Sequence, residues 1–225
     1  MGCILKGGGG LYARLVVGAV LLAAGAGSRL GRRPKSLLEL GGVPLIRRQL
    51  IALSGAGVDE VVVVLGHHAE AIEPVVRDFP VTLVRNPAPD DGQPSSVRIG
   101  LQALAGKLDA VIVALADQPL VNAQDITELI GAYKKRGEAR MVVPRVDGEP
   151  GNPIIMDSGL RDEWLAGDAN AACRRWREAH PESVRWLDTP NSRFRIDIDT
   201  PDDLVRFAER TGHTLRWPAA LAPAG

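Results

Sequence analysis

The stretch of this 225-residue chain best equipped for chemistry is Leu22-Ala23-Ala24-Gly25-Ala26-Gly27-Ser28-Arg29-Leu30-Gly31-Arg32-Arg33-Pro34-Lys35. It follows an aliphatic run and is rich in small residues, so its backbone N–H groups can close on phosphate oxygens. Arg29 and Lys35 add positive charge, the first as a planar fork and the second as a compact point charge. A dinucleotide fingerprint would need glycine where Leu30 stands, and an acid after the second strand, where the chain reads Gly66-His67-His68. A P-loop would need glycine in place of Pro34. The loop reads as a phosphate cradle of neither kind.

Carboxylates form the second group. Asp117 ends an aliphatic run and precedes Gln118-Pro119, which places it at the carboxyl edge of a sheet, where open α/β folds bind ligands. There it either caps a turn or binds a cation, because an isolated carboxylate withdrawn from water is costly. Asp197 and Asp199 alternate with Ile196 and Ile198, so a strand over Phe194–Ile198 would aim both carboxylates at one face. Like charges so placed repel unless a cation sits near them. One of the pair is expected to be a ligand, and the sequence leaves open which. Asp199 could instead belong to the turn before Thr200. Ser95 and Ser96 have no histidine in a recognisable partner position, so Gly92–Ser96 reads as a cap for the helix that follows. His67 and His68 point apart and lack a third ligand, which makes them a loop pair. Trp164, Trp176 and Trp186 read as packing residues, and Cys173 as a small buried hydrophobe.

Such groups need a scaffold. Val16–Leu22, Val61–Leu65, Val81–Val84 and Ala110–Leu115 are aliphatic with little polar alternation, the habit of strands buried on both faces of a parallel sheet. Helices are expected at Pro44–Ser54, Ala69–Asp78, Ser95–Leu104 and Ala123–Arg136, the last behind a capping box of Asn122 and Asp125. This order predicts a doubly wound α/β fold. Met141–Arg145, Ile154–Met156, Val184–Leu187 and Phe194–Ile198 read as further strands. Asp168 caps a helix through Glu178, and Thr200-Pro201-Asp202-Asp203 opens the last one.

Composition sets the bounds. The 27 Lys and Arg balance 27 Asp and Glu, which argues against a surface that grips nucleic acid. Aromatic residues at 4% are too few for a base-stacking platform. Two cysteines, Cys3 and Cys173, cannot make a disulfide framework or a four-cysteine zinc site. Leu15–Ala24 behind Lys6 and Arg14 imitates a signal peptide, but it is too short to span a bilayer and continues into the loop. The expectation is a soluble, cytoplasmic protein with no nucleic-acid or membrane partner. Residues 15–212 would form a single domain, with 1–14 a disordered leader or cloning scar and 213–225 a frayed tail.

The pattern from Leu22 to Lys35, Leu-Ala-Ala-Gly-x-Gly-x-Arg-x-Gly-x-x-x-Lys, resembles the signature of the MobA-like nucleotidyltransferases, closest to the molybdenum cofactor cytidylyltransferases. The resemblance continues through Leu37–Leu45 and recurs at Gly92–Ser96, Asp117-Gln118-Pro119, Gly151-Asn152-Pro153 and Asp197–Asp203, in family order. It implies a three-layer, Rossmann-like nucleotidyltransferase fold with a mostly parallel sheet. It further implies transfer of CMP from CTP to a molybdopterin-type molybdenum cofactor, with release of pyrophosphate. By the same resemblance Arg29, Lys35 and Asp117 are catalytic. Leu22, Ala23, Ala24, Gly25, Ala26, Gly27, Ser28, Arg29, Lys35, Asn86, Gly92, Ser95 and Ser96 bind nucleotide, and Gly151, Asn152 and Pro153 bind the acceptor. Mg²⁺ is held by Asp117 with one of Asp197 and Asp199. Implied partners are an NTP, with CTP favoured, a phosphorylated small-molecule acceptor, and a molybdoenzyme or its chaperone. Ala24 favours CTP, since guanylyl-transferring relatives carry glycine there, whereas Gln93 replaces the apolar residue usual after Gly92 in cytidylyltransferases. The alternatives are a sugar or polyol phosphate acceptor, GTP as donor, or a nucleotide-binding or redox protein on the same fold.

Overall fold

The computed structural model describes residues 14–167 and 173–222. The expected leader up to residue 13 and the Asp168 cap lie outside the described residues. In chain order the elements are β1 (Val17–Ala23), β2 (Glu39–Leu40), β3 (Val43–Pro44), α1 (Leu45–Gly55), β4 (Glu60–Leu65), α2 (Ala69–Val76) and β5 (Thr82–Arg85). There follow α3 (Gln93–Ala103), β6 (Ala110–Leu115), α4 (Ala123–Lys134), β7 (Met141–Val146), β8 (Glu149–Pro150), β9 (Ile154–Asp157) and α5 (Ser158–Ala166). The last are α6 (Cys173–Ala179), β10 (Val184–Asp188), α7 (Pro201–Thr211) and β11 (Leu215–Arg216).

The main sheet runs β10-β7-β9-β6-β1-β4-β5, with β8 added to β7. β1 is parallel to β4 and β6, β4 to β5, and β10 to β7, while β9 inserts antiparallel between β6 and β7. All seven residues of β1 are buried, as expected for a strand covered on both faces. Successive side chains alternate between faces. Ala19 and Leu21 enter a core with Leu53 of α1, Ile72 of α2 and Ile126 of α4, while Val20 and Leu22 enter another with Leu101 of α3 and Leu160 and Trp164 of α5. Helix, sheet and helix thus make the three layers that the pattern predicts. α1 shows why it docks as it does: Leu45, Ile46, Gln49, Leu50 and Leu53 are buried at helical spacing. Two helices on the other face cap one another. Arg98 of α3 donates to the carbonyls of Trp164, Leu165 and Gly167 at the end of α5, and Arg161 of α5 donates to those of Leu101 and Leu104 at the end of α3.

A third, smaller core joins Leu30, Leu38, Leu40, Leu45, Ile198, Phe207 and Leu215 beneath a sheet of order β11-β2-β3. This corrects the expected frayed tail. β11 pairs with β2, and Arg33 lies 4.3 Å from the Trp217 ring and donates to the Leu221 carbonyl. Residues 215–222 are therefore tied to the glycine-rich loop.

Phe194–Ile198 also departs from expectation. Ser192–Arg195 is a 3₁₀ turn capped by Asn191, and the segment after it joins no ladder. Its alternation arises because Phe194 and Ile198 are buried from a loop, so no strand fixes Asp197 and Asp199 to one face. The capping boxes at Asn122/Asp125 and Thr200/Asp203 form as the sequence predicts. Among the described residues no helix is long and apolar enough to cross a membrane.

Candidate active site

β1 and β6 run in register, Leu22 beside Leu115, so the glycine-rich loop and Asp117 leave the same edge of the sheet side by side. The loop turns sharply at Gly27, whose φ of +62° suits only glycine here, because a Cβ would strike the Arg33 carbonyl. The Gly27 carbonyl accepts from the amides of Leu30 and Arg32 at 2.9 and 3.0 Å. The amides of Gly25, Ala26 and Gly27 donate to none of the described residues. Successive free N–H groups in such a turn make an anion-binding concavity.

Beside them opens a cavity of about 190 Å³, lined by Leu22, Ala23, Ala24, Gly25, Lys35, Gly92, Gln93, Ser96 and Asp117 among others. Lys35 sits at its charged end. Its Nζ lies 2.6 Å from Asp117 Oδ2 and 2.5 Å from Asp199 Oδ1, while Arg29 reaches Asp199 Oδ2 at 2.9 Å. Burial alone would lower the Lys35 pKa, but Asp117 and then Asp199 outweigh it and leave the ammonium above its ordinary range. Asp197 makes no ion pair among the described residues. Loss of surrounding water, then the charges of Asp117 and Asp199, push its carboxyl above the usual range, although the residue keeps contact with solvent. No three described His, Cys, Asp or Glu side chains converge as a metal cage. The donor set is nonetheless hard oxygen, and Asp117 and Asp199 already share one cationic centre.

The other sequence-predicted residues divide. Gly92, with φ +89°, and Ser96 face the cavity. Asn86 does not line it: it is buried, and its Nδ2 donates to Ser95 Oγ at 2.8 Å and Ser96 Oγ at 2.9 Å while Oδ1 accepts from the Ala88 amide. Ser95 donates to the Gly92 carbonyl at 2.8 Å, so both residues brace the loop that opens α3. Ala26, Gly27, Ser28 and Arg29 lie along the glycine-rich loop outside the cavity wall, and 65% of the Arg29 side chain is exposed.

Gly151, Asn152 and Pro153 are tethered to Gln118, a residue marked in the sequence only as the middle of the motif Asp117-Gln118-Pro119 and given no role there. Gln118 is buried, and its Nε2 donates to the carbonyls of Asn152 at 3.2 Å and Phe194 at 3.1 Å. Asn152 N also donates to the Phe194 carbonyl at 2.8 Å, and Gln49 of α1 donates to the Gln118 carbonyl at 2.6 Å. The turn after Asp117, the 151–153 loop and the turn leading to Asp197 are thus one hydrogen-bonded unit. A buried glutamine has no sequence signature, and only its place next to Asp117 could have drawn notice. Such an assembly can bind a polyphosphate, neutralise its charge and hold an acceptor beside it.

Residues 19–184 match the model of the MobA-like NTP transferase domain. The chain is 33% identical over 199 residues to nicotine blue oxidoreductase of Paenarthrobacter nicotinovorans, covering 85% of this chain and 96% of that protein. It is 35% identical over 134 residues to the bifunctional protein GlmU of Kineococcus radiotolerans, covering 58% of this chain and 27% of that protein. Among solved structures, a nucleotidyl transferase from Methanothermobacter superposes with a TM-score of 0.70 at 27% identity, over 87% of this chain and 97% of the other.

Proposed function

The chain belongs to the MobA-like NTP transferase domain family, and from that premise we propose that it transfers CMP from CTP to a molybdopterin-type molybdenum cofactor, releasing pyrophosphate. The observation that carries the transfer reaction is the Lys35 ammonium lodged between Asp117 and Asp199 beside three free loop amides. Those amides and Arg29 hold the triphosphate, and Lys35 neutralises the leaving pyrophosphate. An oxygen of the acceptor's phosphate attacks the α-phosphorus, and the bond from that phosphorus to the β-phosphate oxygen breaks. A phosphate monoester has a second pKa near 6, so most of it is dianionic at pH 7 and its attack needs no general base. Positioning and charge neutralisation do the rest.

Mg²⁺ suits this donor set, since it is ordinarily held by one or two carboxylates together with substrate phosphates. Asp117 and Asp199 are the proposed ligands, chosen over Asp197 because they already converge on one cation. When bound, the metal would supply neutralisation of phosphate charge. Gly151, Asn152 and Pro153 form the acceptor side, coupled to Asp117 through Gln118. The choice of CTP rests on Ala24, and that of molybdopterin on the run of motifs. A molybdoenzyme or its chaperone would receive the product.

Identity to nicotine blue oxidoreductase over most of the chain carries a second reading, a redox protein on this fold. The deciding experiment measures pyrophosphate release from each NTP in turn, with Mg²⁺, with and without molybdopterin. Release confined to CTP plus molybdopterin is expected. Release with GTP, or with a sugar phosphate as acceptor, would overturn the specificity, and nicotine blue turnover without any pyrophosphate would favour the redox reading.

A further inference from the structure

The turn Gly66–His68, between β4 and α2, has no task in the reaction above. It packs directly against the glycine-rich loop: a Cβ on Gly66 would come within 2.5 Å of the Ala24 carbonyl oxygen, and the His67 amide faces that oxygen at 3.5 Å. From this turn the two imidazoles reach different loops. His67 Nε2 lies 3.0 Å from Asp90 Oδ1, a carboxylate that is 87% exposed. His68 Nε2 lies 3.0 Å from the carbonyl oxygen of Ala26.

A carbonyl oxygen can only accept, so Nε2 of His68 carries the proton and donates. The peptide joining Ala26 to Gly27 is trans, so its N–H points opposite to its C=O. With the carbonyl held by His68, the Gly27 N–H is turned away from the histidine, and it donates to no described residue. Glycines flank Ala26 on both sides, which leaves this peptide free to flip unless something holds it. A flipped peptide would present a carbonyl oxygen to the phosphates in place of an N–H.

We infer that His68 is a positioning residue for the phosphate loop, its Nε2–H fixing the Ala26–Gly27 peptide so that the Gly27 amide faces the donor's phosphates. The inference rests on the nucleotidyltransferase reading of this loop and adds to it the group that sets the loop's polarity. His67 serves as the comparison, because an exposed histidine–carboxylate contact contributes little.

Inorganic tripolyphosphate with Mg²⁺ is the probe, since it engages the loop without depending on the donor base. Its affinity is measured by calorimetry for the wild type, His68→Phe, His68→Gln and His67→Phe, beside the Tm of each unliganded protein. His68→Phe should lose roughly 3- to 10-fold in affinity, the worth of one hydrogen bond. His68→Gln, which restores a donor, should return to within about twofold, and His67→Phe should match the wild type. Wild-type affinity in His68→Phe would overturn the inference. So would a His68→Gln variant that folds as the wild type yet binds as poorly as His68→Phe, since the donor would then be irrelevant. A wild type that takes up no tripolyphosphate would instead overturn the phosphate-loop reading itself.

Discussion

Asp117 and Asp125 follow the same strand, β6, and their surroundings differ in kind. Asp125 is fully buried, with its oxygens accepting from the Asn122 amide at 3.0 Å, from Asn191 Nδ2 at 2.7 Å and from two nitrogens of Arg193 at 2.9 and 2.6 Å. Such a carboxylate has no capacity left for a ligand, and what it does is pin the turn at Asn191–Arg195 against the start of α4. Asp117 keeps 19% of its side chain exposed and meets one long, flexible cation, Lys35, which it shares with Asp199. A partner on a four-carbon stem can be exchanged for a metal or a phosphate, whereas a guanidinium forked onto a fully buried carboxylate is held by paired hydrogen bonds. Hydrogen-bond satisfaction alone thus separates a carboxylate built for the fold from one kept available for chemistry.

The largest effect expected from this contrast is in Asp117→Asn, which should abolish metal-dependent turnover while leaving the Tm within ~3 °C of the wild type. Retained turnover at saturating Mg²⁺ would erase the distinction. Asp125→Ala should do the reverse: a stability loss of about 1–3 kcal/mol in denaturant titration, from lost charge-assisted hydrogen bonds, with turnover per folded molecule near the wild type. A cost under about 1 kcal/mol would mean that the buried network does not anchor the fold. Lys35→Ala should cost roughly 10²–10³ in turnover, and its stability should stay within about 1 kcal/mol. Lys35→Arg should restore only part of the rate, because a planar fork cannot fill the place of a compact ammonium. Large destabilisation with normal turnover would move Lys35 to the structural side.

Asp203 gives the smallest effect and sharpens the structural class. Burial opposes its ionisation, but hydrogen bonds from Thr200, Arg206 and the Asp199 amide hold its pKa at about 2. An unfolded aspartate titrates near 3.9, so the stabilisation is complete above about pH 4 and is lost as the pH falls toward 2. Asp203→Asn should cost about 1–2 kcal/mol at pH 7 and flatten the acid limb of the stability curve between about pH 4 and 2. Parallel acid limbs for variant and wild type would show that the cap carries no such linkage.

Legibility in the sequence followed the range of the interactions. β6 has the ends that its aliphatic run predicts, and both capping boxes form, because buried parallel strands and helix starts are specified by residues a few positions apart. The loop from Leu22 to Lys35 was legible for the same reason. The hydrogen bonds of Asn86 to Ser95 and Ser96, which brace the loop opening α3, are contacts that only folding creates. Phe194–Ile198 imitated a strand because two side chains at even spacing enter different packing surroundings from an irregular segment. Gln118 lies in a motif and Asp125 in a capping box, but the contacts of Gln118, Gln49 and the Asp125–Arg193 pair reach across tens of residues, and no local pattern announces those contacts. The two-residue strands β2, β3 and β11 are too short for any periodicity to show.

The central position of β1 has a consequence for the chain as it is made. Val17 pairs with Ala110, and Gly18 with Glu60, so both edges of the first strand wait for partners synthesised much later. At roughly 5–20 residues per second, on the order of 5–20 s separate the emergence of β1 from that of β6. Until β4 is made neither edge of β1 has a partner, and from then until β6 is made one edge stays open. Non-local parallel pairing of this kind is slow to form and prone to association with other chains. Ribosome-bound chains that stop before β6 should therefore be the species that chaperones hold, and completion of β6 the event that releases them.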